Sequence, residues 1–264
     1  MFRSVFLKNL RDQRRGIIGW GIGIVAIVLV MAAVWPSIRD MPDLDKFLAA
    51  YPEAMRELFN IESMTSGPGF LNAELFSIML PLAFVIFAVA RGARLVAGEE
   101  ETGQLELVLT TGLSRIQLFL EKALALIAAL VILAVVTFAS TWALAGAFDM
   151  GVEAADLLVG TTGVLLLGIE FGMLALAVGA VTGKRSLALA AGAGAATASY
   201  LLYVVGSLVP SVEPWQVVSP FHQALEAGPL GGGWTPGMIW MPLVALLILS
   251  AAIPRYRRRD IVTG

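Results

Sequence analysis

Ile17-Ile-Gly-Trp-Gly-Ile-Gly-Ile-Val-Ala-Ile-Val-Leu-Val-Met-Ala-Ala-Val-Trp35 contains no charged residue, and Arg3, Lys8, Arg11, Arg14 and Arg15 stand before it. A hydrocarbon core of about 30 Å is crossed by about 20 apolar residues in helical form. The run is therefore read as a membrane-spanning helix. A basic prelude and an apolar run also occur in secretory leaders. This run is too long for a leader, and Trp35-Pro36 is a poor cleavage context, so an uncleaved first span is favoured.

The pattern repeats. Glu74–Ala90, Ala123–Ala147, Leu157–Val181, Leu187–Val209 and Gly237–Ile253 complete a set of six apolar runs. Together they occupy about half of the chain, which leaves no room for a soluble catalytic domain. With 58% hydrophobic residues, the fold class expected is an all-α polytopic membrane protein forming a single transmembrane domain. Cysteine is absent, which excludes disulfides and thiolate metal sites.

Charge sets the orientation. Of 18 Lys and Arg residues, only Arg39, Lys46 and Arg56 fall in the gap after the first run, beside six acids. The third-to-fourth gap holds Asp149, Glu153 and Asp156 with no basic residue, and the gap before the sixth run has none either. The other basic residues lie at the N-terminus, at Arg91–Lys122, at Lys184-Arg185 and at Arg255–Arg259. By the positive-inside rule both termini are cytoplasmic.

Between the runs, Phe2, Val5, Phe6 and Leu10 share one helical face while Arg3, Lys8 and Arg11 lie elsewhere. That spacing predicts an amphipathic helix over 1–15 lying on the inner leaflet. Residues 36–73 form an external loop, in which Tyr51-Pro52 begins a short helix and Thr65-Ser-Gly-Pro-Gly69 breaks the chain. Pro81 predicts a kink in the second span. Gly19-x-x-x-Gly23, Gly168-x-x-x-Gly172 and Gly179-x-x-x-Gly183 are small-residue packing patterns, as are the ladders Ala188/Gly192/Ala196 and Ala191/Ala195/Ser199 in the fifth span. Pro210–Pro236, with Trp215, Pro220 and Phe221, is too short for two crossings and too apolar for a solvated loop. A pair of short helices dipping into the outer leaflet and an interfacial loop with a Trp belt both satisfy it.

The gap after the second span is more than a connector. Glu99-Glu100-Glu101-Thr-Gly103 leads into Gln104–Leu109, with Leu105, Glu106, Leu107 and Leu109, and Ser114-Arg115 opens the third span. Ser114-x-x-Gln117 has capping-box spacing. A short, partly apolar segment is thus clamped between two span ends, and its exposed leucines call for a partner surface or for the membrane itself.

Arg91-Gly-Ala-Arg-x-x-Ala-Gly-Glu-Glu-x-x-Gly-x-Leu-Glu-Leu-x-Leu, followed by Leu-Ser-Arg115 and Lys122, resembles the signature of bacterial ABC-2-type permeases, the membrane subunits of drug, antibiotic and polysaccharide exporters. Ala-Val-Gly-Ala-Val-Thr-Gly-Lys-Arg-Ser at the end of the fourth span, the small-residue fifth span and Val218-Ser-Pro-Phe221 are similar to the same family. Thr110-Thr-Gly-Leu departs from the Pro-containing turn usual there.

The resemblance implies an ABC-2 (type V exporter-like) fold. Glu99, Glu100, Gly103, Leu105, Glu106, Leu107, Leu109, Ser114 and Arg115 would couple to a cytoplasmic ABC ATPase. Phe2, Phe6, Lys8 and Arg11 would form an interface helix beside that segment. Residues 210–230 would be re-entrant helices gating the outer side, with Trp215, Pro220 and Phe221 as gate residues. Spans 1 and 5 would face a second copy of the permease in a homodimer served by two ATPase copies. ATP and Mg would then reside in the partner, with no cofactor bound by this chain and no nucleic-acid partner.

Other chemistry lacks its residues. Gly179-Ala-Val-Thr-Gly183-Lys184-Arg185-Ser186 is one residue short of a phosphate-binding loop, and Arg185 displaces the Mg-binding hydroxyl. His222 is the only histidine, with Glu226 the one local carboxylate, so a structural role is favoured over a metal. Glu170 lies mid-span, where an ionised carboxylate costs about 2.5–3.5 kcal/mol. It is read either as a residue of a translocation path or as an inter-helix bond to Thr137, Thr197, Ser199 or Tyr200. The function expected is export of a hydrophobic or amphipathic small molecule across the bacterial inner membrane. The alternatives are transmission of ATPase motion to an extracytoplasmic partner without cargo, and an ion-coupled carrier using Glu170.

Overall fold

The computed structural model describes residues 5–41, 65–103 and 114–259. Six helices in it are long and apolar enough to cross a bilayer: α1 (Val5–Arg39), α2 (Gly67–Glu101), α3 (Arg115–Ala147), α4 (Ala154–Thr182), α5 (Arg185–Leu208) and, after one short helix, α7 (Gly237–Arg258). The expected tally and order of spans is therefore met. The expected short helix around Pro52 and residues 104–113 of the coupling segment lie outside the described residues.

α4 is the most buried of the six, and α2, α3, α5 and α7 all pack on it. Its glycines make that possible. At the α2–α4 crossing, a Cβ on Gly92 would come within 2.3 Å of the Gly172 carbonyl oxygen, and one on Gly172 within 3.0 Å of Ala88 Cβ. The two backbones meet because neither side chain intervenes. Gly168 is similarly confined by Leu130 and Phe84, while Gly179 faces Ala97 and Ala188. On α5 the ladder Ala188/Gly192/Ala196 is buried, whereas Gly19 and Gly23 on α1 meet nothing within 4 Å among the described residues.

One expectation needs correction. From Val5 onward, the N-terminal segment is not a separate helix lying on the inner leaflet. α1 runs unbroken for 35 residues, and a single buried stripe continues from Val5, Asn9 and Gln13 into Ile17, Gly21, Ile24 and Val28. Of the expected face, Val5 is buried and Phe6 and Leu10 are half-buried, while the polar Asn9 and Gln13 carry the buried stripe on to Ile17. At about 1.5 Å per residue the helix is about 52 Å long, so it extends well past a hydrocarbon core.

At Pro81, where a kink is expected, α2 changes its winding. Residues Asn72–Met79 wind as a π-helix and Leu80–Ala93 as an α-helix, so Pro81 falls in the first turn of the α segment. The change of winding absorbs the missing N–H donor. A second π segment, Arg94–Gly98, carries α2 on to Glu101.

All described Lys and Arg residues except Arg39 gather with the α1 N-terminus, the α2 C-terminus and the α7 C-terminus at one end, here termed the basic pole. Arg39, at the opposite pole, is paired with Asp40 at 2.9 Å. There Trp35 and Phe70 pack ring to ring at 5.6 Å, and Leu230 N–H donates to Asn72 Oδ1 at 3.4 Å.

Candidate coupling site

Ser114 opens α3 as the spacing requires, its Oγ accepting from the Gln117 N–H at 3.2 Å. Gly103 closes α2 on the other side with φ +71, a left-handed conformation that favours glycine. Residues 104–113 connect these two ends in sequence. Leu105, Glu106, Leu107 and Leu109 belong to it and lie outside the described residues.

The three glutamates just before it each reach a different helix. Glu99 Oε2 takes the Lys122 ammonium of α3 at 2.5 Å, and Lys122 also donates to the Leu95 carbonyl. Lys122 is fully buried, so this pair neutralises a charge that the interior could not otherwise hold. Glu100 pairs with Arg259, just past the end of α7. Arg259 returns the contact to α3, its carbonyl accepting from Arg115 Nη1 at 2.5 Å. Glu101 Oε1 accepts the N–H of Arg185, the first residue of α5, at 2.8 Å. On α3, Glu121 accepts the Phe6 N–H of α1 at 2.9 Å and the Gln117 amide at 3.3 Å.

Glu100 and Arg115 are thereby joined through Arg259, Ser114 and Phe6 through Gln117 and Glu121, and Glu99 is bound to Lys122. Lys8 is half-buried and Arg11 exposed, and Phe2 lies outside the described residues. Sequence reasoning missed Lys122, Arg185 and Arg259 as partners of the acids, because it read them for orientation and for the family signature and not for pairing. Lys122 and Arg259 are the countercharges of Glu99 and Glu100, whereas Arg185 is exposed and meets Glu101 through its backbone N–H.

At the opposite pole the short helices are formed, a 3-10 turn at Glu213–Val218 and α6 at Pro220–Leu225. Pro220 and Phe221 are buried, while Trp215 is 66% exposed. Phe221 packs between Phe171 at 5.8 Å and Tyr200 at 5.3 Å. Ser219 ties α6 to α5 by donating to the Ser199 carbonyl at 2.9 Å. Beside Phe221 an apolar cavity of about 190 Å³ opens between α2 and α5, with Leu82, Val85, Thr197 and Tyr200 in its wall.

Glu170 is buried at 8% exposure, and its Oε2 has no hydrogen-bond partner. The expected inter-helix bonds are not made: Thr137 donates to the Leu133 carbonyl and Ser199 pairs with Ser219. His222 Nε2 lies 3.4 Å from Glu226, and no cluster of three metal-ligating residues occurs among the described residues.

Six helices long and apolar enough to cross a membrane, joined at one end by the Glu99–Lys122 and Glu100–Arg259 pairs, give the architecture of a multi-pass membrane protein. The family model described as ABC-2 family transporter protein matches residues 3–224, and the chain belongs to that family. It is therefore a membrane component of an ABC transporter, of a kind that is generally non-catalytic, and the family implies an ABC ATPase partner. No curated protein matches the chain.

Proposed function

We propose that this chain is the permease of an ATP-driven exporter, and that 104–113 is the element its ATPase pushes. The observation that carries this reading is the fan of Glu99, Glu100 and Glu101 onto α3, the α7 end and α5. Displacement of the adjoining segment acts on three spans together, without a soluble lever. The basic pole faces the cytoplasm of a bacterium, with both termini there. Two ATPase copies hold the ATP and Mg. Two permease copies meet through the open faces of α1 and α5, supported by the exposure of Gly19 and Ala193-Gly194 and the open space beside Gly23. The apolar cavity beside Phe221 suits a hydrophobic or amphipathic cargo moving outward.

The test is purification of the tagged chain from its native membrane in mild detergent. Vanadate-sensitive hydrolysis by a co-purifying ATPase is expected, and Leu105→Glu with Leu107→Glu should abolish both while the chain remains inserted. Retention of the ATPase by that double variant would sink the assignment of 104–113.

A further inference from the structure

We propose that a recess between α1 and α2 at the basic pole binds the phosphate of an anionic phospholipid. Asn9, Asp12 and Gln13 line it from α1, with Arg91, Arg94 and Glu99 from α2, around about 70 Å³. That is room for a few waters or one tetrahedral oxyanion.

The two buried amides of the lining lack hydrogen-bond partners. Asn9 and Gln13 are 3% and 5% exposed, yet Asn9 Nδ2 and both Gln13 amide atoms make no hydrogen bond. Buried amides seldom go unbonded without a ligand or water to satisfy them. Arg91 and Arg94 stand one helical turn apart, and neither guanidinium pairs with a carboxylate among the described residues. Arg91 instead lies over the Phe87 ring at 5.6 Å and against Gly16, where a Cβ would fall 1.6 Å from its Nη2. Glu99 already holds Lys122. Counting Lys122 with the two arginines against Asp12 and Glu99 leaves one positive charge, which matches a phosphodiester. Guanidinium forks and amide N–H groups are suited to phosphate oxygens.

Depth selects a lipid over a soluble anion. The apolar run of α1 starts at Ile17, and Gln13 lies one turn further out, about 6 Å along the axis. The headgroup zone spans about 5–8 Å on each side of the hydrocarbon core. Trp20, one turn inward of Gly16, packs edge-on to Phe87 at 6.1 Å, as a residue at the acyl boundary would. Asp12 and Arg94 are exposed, so the recess opens to the surface.

The experiment uses the full chain, delipidated in detergent and titrated with phosphatidylglycerol or with diacylglycerol of the same acyl chains, with adducts counted by native mass spectrometry. One saturable phosphatidylglycerol is expected per chain, bound at least about tenfold more tightly than diacylglycerol. Arg91→Gln with Arg94→Gln should remove it. Gly16→Ala, which displaces the Arg91 guanidinium and changes no polar group, should weaken it. Arg257→Gln with Arg258→Gln, outside the recess, should leave it intact. Equal binding of diacylglycerol, competition by inorganic phosphate at the lipid's own concentration, unaltered binding by the Arg91/Arg94 variant, or equal loss in the Arg257/Arg258 control would each overturn the proposal. The wild-type lipid comparison decides even if a variant fails to fold. Its failure would leave the ATPase co-purification result untouched.

Discussion

The two poles of this molecule are held together by different physics. At the basic pole the helix ends are joined by charge: Glu99 to Lys122, Glu100 to Arg259, and Glu101 to the α5 amide. At the opposite pole they are joined by neutral contacts, chiefly Phe221 between Phe171 and Tyr200 and the Ser199–Ser219 pair. Buried ion pairs are directional and costly to half-break. Single hydroxyl bonds and ring contacts are each worth only about 1 kcal/mol. One pole is thus suited to transmitting displacement, and the other to yielding to it.

The sharpest way to break that contrast is Glu99→Leu. It leaves the Lys122 ammonium buried with only the Leu95 carbonyl as a partner, a loss expected at about 3–5 kcal/mol. Thermal unfolding in detergent measures it, and Lys122→Met in the same background should recover most of the loss. If the double variant is no better than the single, the pair is not the connection between α2 and α3.

A neutral change in the same half of the bundle separates charge from packing. Gly92→Ala forces a methyl into the Gly172 carbonyl, 2.3 Å away, so α2 and α4 must part. Overpacking of this kind costs about 1–3 kcal/mol. A smaller loss than Glu99→Leu, read by the same unfolding midpoint, is the expected ranking. The reverse ranking would make close backbone contact, and not ion pairing, the main bond of this pole.

What the sequence discloses follows from which forces are local. The six spans were legible because an apolar run reports its own environment. The Ser114 cap was legible because donor and acceptor lie three residues apart. Span ends were not: α2 was expected to stop at Ala90 but continues to Glu101, because its charged end is solvated laterally by α3, α5 and Arg259. The same non-locality hid the burial of Asn9 and Gln13, which turns the expected amphipathic segment into the start of α1. Pro81 signalled an irregularity whose form, a π-to-α change of winding, depends on the surrounding bundle.

At the opposite pole, Ser219→Ala removes the bond to the Ser199 carbonyl and the cap on the His222 N–H. About 1 kcal/mol is expected. The loss should appear as faster hydrogen exchange confined to α6 and the preceding 3-10 turn, with the global midpoint little moved. Protection lost across α5 and α7 as well would show this pole to be as cooperative as the other.

Glu170 belongs to neither pole and gives the smallest effect on stability. Its Oε2 has no partner, so Glu170→Gln keeps the shape of the side chain and discards only the capacity to ionise. A carboxylate held by a structural bond would lose stability on this change. One without such a bond should shift the unfolding free energy by less than about 0.5 kcal/mol, or raise it. The stability measurement therefore frees a transport assay to be read directly. With folding intact, a lowered rate for cationic cargo places Glu170 on the path, whereas an unchanged rate removes it from the mechanism and leaves the apolar cavity beside Phe221 as the route to be tested.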